Sequence, residues 1–241
     1  LVMERLYNII YSENRGLIPF YYEFTEGTRS GKTFYHDFLT RFYMQVVGYY
    51  MRDILWIRNA VDFKADVDVT EFRKEVESIS IPNKDRILND LKRCINMLEK
   101  ENPPYEYVIA ATATPRSFAT TPGVVEKVVQ MIDEFQYLNM YIDAGIEDKP
   151  CKAYMSTAEM KVAPLLISGS LMGVVSEELM RWLPHRFDEF IVPRMDEREA
   201  VAMTTNYGKL YGHEITPEIA SYVVHITNSV PGRIADILTP K

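Results

Sequence analysis

Two adjacent carboxylates close a run of apolar residues in Val128-Val129-Gln130-Met131-Ile132-Asp133-Glu134. The run reads as a buried strand, and the carboxyl end of a strand is where an open α/β sheet keeps its ligand-binding groups. One carboxylate there can hold a hard divalent cation while its neighbour polarises a water for attack on a phosphoryl group. The same pair also occurs as plain solvated turn residues. A second candidate, Gly27-Thr28-Arg29-Ser30-Gly31-Lys32-Thr33, follows an apolar strand, precedes a helix-like stretch and ends in Gly-Lys-Thr. A loop that wraps phosphates needs four residues between its glycines so that successive N–H groups surround the anion. Here three residues separate them, and Glu26 stands where the first glycine belongs. That spacing reads as a strand-to-helix turn. A third cluster, Ser168-Gly169-Ser170, ends the apolar run that begins at Val162.

The elements that must position these groups follow from hydrophobic spacing. Val2, Leu6, Ile9 and Ile10 predict a helix that stops near Asn14-Arg15-Gly16, with no capping residue ahead of it, so it reads as a helix entered in its middle. The expectation is a fragment whose upstream part is missing. Leu17 to Phe24 is nearly continuous in apolar residues, as in a parallel strand buried on both faces. Phe34, Phe38, Phe42, Val46 and Tyr49 recur at helical spacing and predict a core helix. Residues 53–100 read as a charged helical insertion with pieces at Thr70 to Glu77 and Lys84 to Glu99. Pro103-Pro104 breaks it, and Ala110 to Gly123 reads as a loop with a short helix. Strands at Val128 to Glu134, Val162 to Ser170 and Glu189 to Val192 alternate with helices, which predicts a parallel sheet. From residue 196 onward short capped helices take over: Asp196 and Glu199 have capping-box spacing, Thr216-Pro217 is a cap followed by proline, and Pro231 can open a third helix.

Composition narrows the classes of function. The 241 residues carry 27 Lys+Arg against 34 Asp+Glu, a formal charge of −7, so nucleic acid is not an expected partner of this region. Cys94 and Cys151 are too few and too far apart for a disulfide framework or a zinc site. No apolar run approaches the roughly 18 residues of a membrane span. The expectation is a soluble cytoplasmic protein without a membrane partner.

Glu4-Arg5-Leu6-Tyr7-Asn8, Ile18-Pro19-Phe20-Tyr21, Gln130-Met131-Ile132-Asp133-Glu134-Phe135-Gln136-Tyr137-Leu138, Thr157-Ala158-Glu159, Ala163-Pro164-Leu165-Leu166-Ile167-Ser168-Gly169-Ser170 and Leu183-Pro184-His185-Arg186-Phe187 occur in this order. Together they resemble the archaeal and bacterial P-loop ATPases of the AAA+/STAND type over nearly the whole chain. The resemblance implies an α/β, parallel-sheet P-loop NTPase core over 1–195, with its first strand and Walker A loop upstream of Leu1, and an incomplete helical lid over 196–241. Its sheet order is 5-1-4-3-2, of which this chain would supply strands two to five. The resemblance makes Asp133 the Walker B carboxylate that holds Mg²⁺ and Glu134 the base that activates water. Ser168 or Ser170 resembles the sensor that reads the γ-phosphate, Arg186 an arginine finger acting on a neighbouring subunit, and Arg233 a lid arginine. The implied ligands are ATP and Mg²⁺, the implied activity ATP hydrolysis, absent from this fragment alone, and the implied partners a homo-oligomer or a protein client. The alternative is a nucleotide-dependent switch or scaffold that hydrolyses slowly or not at all.

Overall fold

A computed structural model describes residues 2–61, 67–143, 150–157, 161–169, 176–177, 179–181, 184, 186–188, 190 and 195–239. The chain divides into two compact units, Leu1–Phe187 and Asp188–Lys241. Among the described residues no helix is long and apolar enough to cross a membrane.

The first unit is an α/β fold, mostly helical. Helix α1 (Val2–Glu13) ends where Asn14 and Gly16 take positive φ, as the Asn-Arg-Gly sequence predicts. Strand β1 (Leu17–Glu23) follows, then a two-residue strand β2 (Arg29–Ser30) and the long helix α2 (Gly31–Met51). Helices α3 (Ile54–Val61), α4 (Val69–Ser78), α5 (Lys84–Leu98) and α6 (Pro104–Ala119) come next. Strand β3 (Lys127–Asp133) leads through a 3₁₀ turn at Phe135–Tyr137 to α7 (Leu138–Tyr141), β4 (Ile142–Asp143) and a 3₁₀ segment, Pro150–Ser156. Strand β5 (Leu165–Ile167) is the last described strand.

The main sheet has the order β1-β3-β5 and is parallel, with Leu17 opposite Lys127, Glu23 opposite Asp133, and Gln130 opposite Leu165. A separate parallel pair joins β2 to β4. Strand β5 is shorter than the apolar run from Val162 predicts, although the carbonyls of Val162 and Pro164 still accept from Val128 and Gln130 of β3 at 3.0 and 2.9 Å. The expected strand at Glu189 to Val192 lies outside the described residues except for Phe190, which is exposed.

Alternation along β1 sorts its side chains onto two faces. Ile18, Phe20, Tyr22 and, just beyond the strand, Phe24 enter the main core with Phe34, Phe38 and Phe42 of α2, whereas Tyr21 joins Met3, Tyr7, Ile57, Val129 and Met131 on the face that α1 covers. The Phe20 ring meets Phe38 and Phe42 edge to face, with centroids 5.0 and 5.2 Å away. Such pairs add about 0.5–1.5 kcal/mol each beyond the apolar area they bury. The aromatic stripe is core, as its spacing predicts. Helices α4 and α5 add Phe72, Val76, Ile87 and Leu91 to this same core.

Strand β1 is closed along its outer side. Its even-numbered residues exchange bonds with β3, as in Phe24 N–H to the Asp133 carbonyl at 3.1 Å, so Pro19 and Tyr21 direct their backbone groups away from the partner. Pro19 has no N–H to leave unpaired. Tyr21 is served by Gln45 of α2, whose amide oxygen accepts from the Tyr21 N–H at 2.8 Å and whose amide nitrogen donates to the Tyr21 carbonyl at 2.9 Å. A buried side-chain amide thus takes the place of a neighbouring strand.

One expectation is overturned in part: Ala110 to Ala119 is not a loop with a short piece of helix but the continuation of the 16-residue α6, and only Thr120 to Gly123 form the turn that follows it. Pro104 opens it at a position where a missing N–H costs nothing. The internal Pro115 removes the N–H that would bond the Ala111 carbonyl, while the Thr112 and Thr114 hydroxyls donate to the neighbouring Val108 and Ala110 carbonyls at 3.0 and 2.8 Å. Burial of Val108, Ala111 and Phe118 in the main core supplies what propensity lacks.

The second unit contains α8 (Glu197–Leu210), α9 (Pro217–Thr227) and α10 (Pro231–Leu238). The predicted starts are correct: Asp196 and Glu199 form a reciprocal capping box and Thr216 caps α9 ahead of Pro217. Ala200, Val223, Val224 and Ile234 make its core.

Candidate functional site

The three parallel strands of the main sheet finish at one edge, bringing Glu23, Asp133 and Ser168 together. Asp133 ends β3, and both of its carboxylate oxygens accept hydrogen bonds. Oδ2 accepts from the Tyr21 hydroxyl at 3.1 Å, and Oδ1 accepts from the Ser168 hydroxyl at 2.5 Å and from the Glu134 N–H at 2.9 Å. Ser168 is itself fixed through its backbone, donating to the Ile132 carbonyl at 2.9 Å and accepting from the Phe135 N–H at 3.0 Å.

Glu134 turns the chain out of the strand in the left-handed region, φ +52°, which a non-glycine residue adopts only when its surroundings hold it there. Its carbonyl accepts from the Tyr137 N–H at 2.9 Å, and its carboxylate Oε2 accepts a hydrogen bond from the side-chain amide of Gln136. Phe135 is buried between Phe24 and Tyr154, centroids 6.4 and 5.7 Å away, which anchors the turn in the core. The Tyr137 hydroxyl donates to Glu26, in the loop after β1, at 3.0 Å.

The edge is electronegative. Burial raises the pKa of Glu23 above its ordinary value, the neighbouring charges of Asp133 and Glu134 raise it further, and a 3.4 Å hydrogen bond from the Tyr21 hydroxyl opposes them. The Tyr21 hydroxyl is pushed up in turn, first by burial and then by the Asp133 and Glu23 charges, so it stays protonated and acts as the donor between two carboxylates. Among the described residues no group of three His, Cys, Asp or Glu side chains stands ready to cage a metal. One carboxylate flanked by a hydroxyl is the type of site that suits Mg²⁺, which keeps most of its waters and takes the remaining ligands from a phosphate.

Of the residues singled out in the sequence, Asp133, Glu134 and Ser168 therefore meet. Ser170 lies outside the described residues. Arg186 donates to the Met155 carbonyl at 2.9 Å within the first unit, and Arg233 is an exposed residue of α10 in the second. The Gly27–Thr33 turn has structural work: Ser30 caps α2 by accepting from the Thr33 N–H at 3.1 Å, and a Cβ on Gly31 would stand 2.3 Å from the Pro104 carbonyl oxygen. Gly31 is thus the residue that lets α2 and α6 approach. Tyr21, Glu23 and Gln136 were not singled out from sequence. The available signal was parity, since Tyr21 and Glu23 share the strand face that Asp133 must use, but the continuous apolar run of β1 hides the alternation.

Comparison with protein-family models, with curated proteins and with solved structures finds no match to this chain.

Proposed function

We propose that this chain is the core of a P-loop ATPase of the AAA+/STAND type, binding and hydrolysing Mg²⁺-ATP, with residues 196–241 as the start of its lid. The observation that carries the reading is the convergence of Asp133, Glu134 and Ser168 at the carboxyl edge of a parallel sheet ordered β1-β3-β5. That order matches the 2-3-4 stretch of the 5-1-4-3-2 sheet, and the closed outer side of β1 suits a terminal strand two. Further strands of such a sheet would then add beyond β5.

The donor set fits the cation side of such a nucleotide: hard oxygen from one aspartate, supported by a serine hydroxyl. Bound Mg²⁺ would offset phosphate charge and orient the transferred group. Asp133 would hold that cation through its carboxylate. Ser168 and Tyr21 set the direction of the carboxylate oxygens. Glu134 takes a proton from the attacking water at its carboxylate. Arg186 and Arg233 are assigned the arginine-finger and lid roles by the resemblance alone.

The test is Glu134→Gln in the full-length protein. ATP affinity with Mg²⁺, read with a fluorescent analogue, should persist while turnover falls by about 100-fold or more, as expected for losing a positioned base. Turnover equal to wild type would remove Glu134 from the role. Slow wild-type turnover with nucleotide-dependent assembly would favour the switch reading instead.

A further inference from the structure

The turn after β3 is tied down beyond what ending a strand requires. Its N–H groups at Glu134, Phe135 and Tyr137 are bound to Asp133 Oδ1, the Ser168 carbonyl and the Glu134 carbonyl. The Phe135 ring is locked in the core, so the 3₁₀ geometry carries the next side chain, Gln136, back over Glu134. Gln136 is buried, and its amide nitrogen donates to Glu134 Oε2.

We propose that Gln136 is the positioning residue of Glu134, holding the carboxylate in the direction from which it accepts the proton of the attacking water. The inference rests on Glu134 being the water-activating group. The bond from Gln136 removes rotamers in which the Glu134 carboxylate points away from this one position. A neutral amide restricts that freedom without supplying a counter-charge. A lysine or arginine in its place would also orient the group but would stabilise its ionised form and weaken it as a base. Because the amide comes from two residues away in the same anchored turn, orienter and base move as one body with Asp133 and Ser168.

The experiment is a double-mutant cycle on full-length protein with Mg²⁺-ATP, measuring kcat, KM and analogue affinity for wild type, Gln136→Met, Glu134→Gln and the double variant. Methionine keeps the length and bulk of glutamine and removes the donor. The expected result is a fall in kcat of about 10- to 100-fold for Gln136→Met, the size of effect that misplacing a reacting group produces, with analogue affinity unchanged. On the Glu134→Gln background the same substitution should lower kcat no further, since the effect of Gln136 on the chemistry runs through the Glu134 carboxylate even though its amide also meets Tyr137. Gln136→Glu, which has the same shape but an acceptor in place of the donor, should lower kcat at least as much and serves if the methionine variant fails to fold. A wild-type or higher kcat in the Gln136 variants, or an equal loss on both backgrounds, would overturn the inference. Equal kcat for wild type and Glu134→Gln would instead overturn the reading beneath it, without any Gln136 variant being involved.

Discussion

Replacing Gln45 by methionine tests whether the outer side of β1 is closed by that one amide. Gln45 is completely buried, as are the two Tyr21 backbone groups it serves, and methionine fills the same space with neither donor nor acceptor. Cavity formation is therefore small, and the cost is that of two orphaned backbone groups. Each unsatisfied buried polar group costs about 1–3 kcal/mol, which gives a loss of about 2–6 kcal/mol. Against a total stability of about 5–15 kcal/mol this is a large fraction. In a domain of this size each kcal/mol moves the melting temperature by about 2–4 °C, so a loss near 3 kcal/mol lowers it by about 6–12 °C. Thermal melting followed by circular dichroism reads the global effect, and hydrogen exchange at the Tyr21 amide reads the local one. Gln45→Glu should do worse than methionine, because it keeps an acceptor for the Tyr21 N–H but sets a buried negative charge against the Tyr21 carbonyl. A Gln45→Met protein that melts within about 2 °C of wild type with the Tyr21 amide equally protected would refute the reasoning.

Two further outcomes follow from the geometry. Gly31→Ala forces a Cβ onto the Pro104 carbonyl oxygen and should destabilise the first unit by about 1–3 kcal/mol, while ATP-analogue affinity measured below the melting range stays at the wild-type value; loss of that affinity would return the Gly27–Thr33 turn to the phosphate site. Glu23 has a pKa raised in the folded chain, so its ionisation disfavours folding: the penalty is absent below the unfolded value and grows as pH rises through the folded one. Glu23→Gln should accordingly be more stable than wild type at neutral pH and indistinguishable from it below about pH 4, and denaturant titrations at the two pH values check the sign.

The elements of this fold were legible where one signal dominated. Asn14 and Gly16 stop α1, Asp196 and Glu199 start α8, and the phenylalanine spacing of α2 survives intact. Helix α6 is hidden in the sequence because Thr112, Thr114 and Pro115 oppose helix locally, and only burial against the rest of the core overrides them. The pairing of Arg29–Ser30 with Ile142–Asp143 leaves no pattern in two-residue strands. Within the site, the chemistry of Asp133, Glu134 and Ser168 could be named from sequence, because strand ends carry polar residues after apolar runs. Their supports could not: Tyr21 lies inside a run apolar on both faces, and Gln136 reaches Glu134 only because Phe135 is buried in a particular way. Pro19 did hold information, since a proline inside a strand marks an outward-facing edge position.

The alternation along β3 makes the site sensitive to a different kind of mutation than the surrounding core. Val129 and Met131 share the face of Asp133, and Val128 and Ile132 the other, yet all four are apolar. Shortening the strand by one residue would leave both layers greasy and the sheet still buildable, but would carry the terminal aspartate across to the side of α2, away from the Tyr21 hydroxyl. Loss of two residues would restore the side while shifting the depth. The odd-or-even register of this strand thus decides the site more strictly than the identity of any apolar residue in it. Codon-sized deletions should abolish the site where conservative exchanges at the same positions leave it standing.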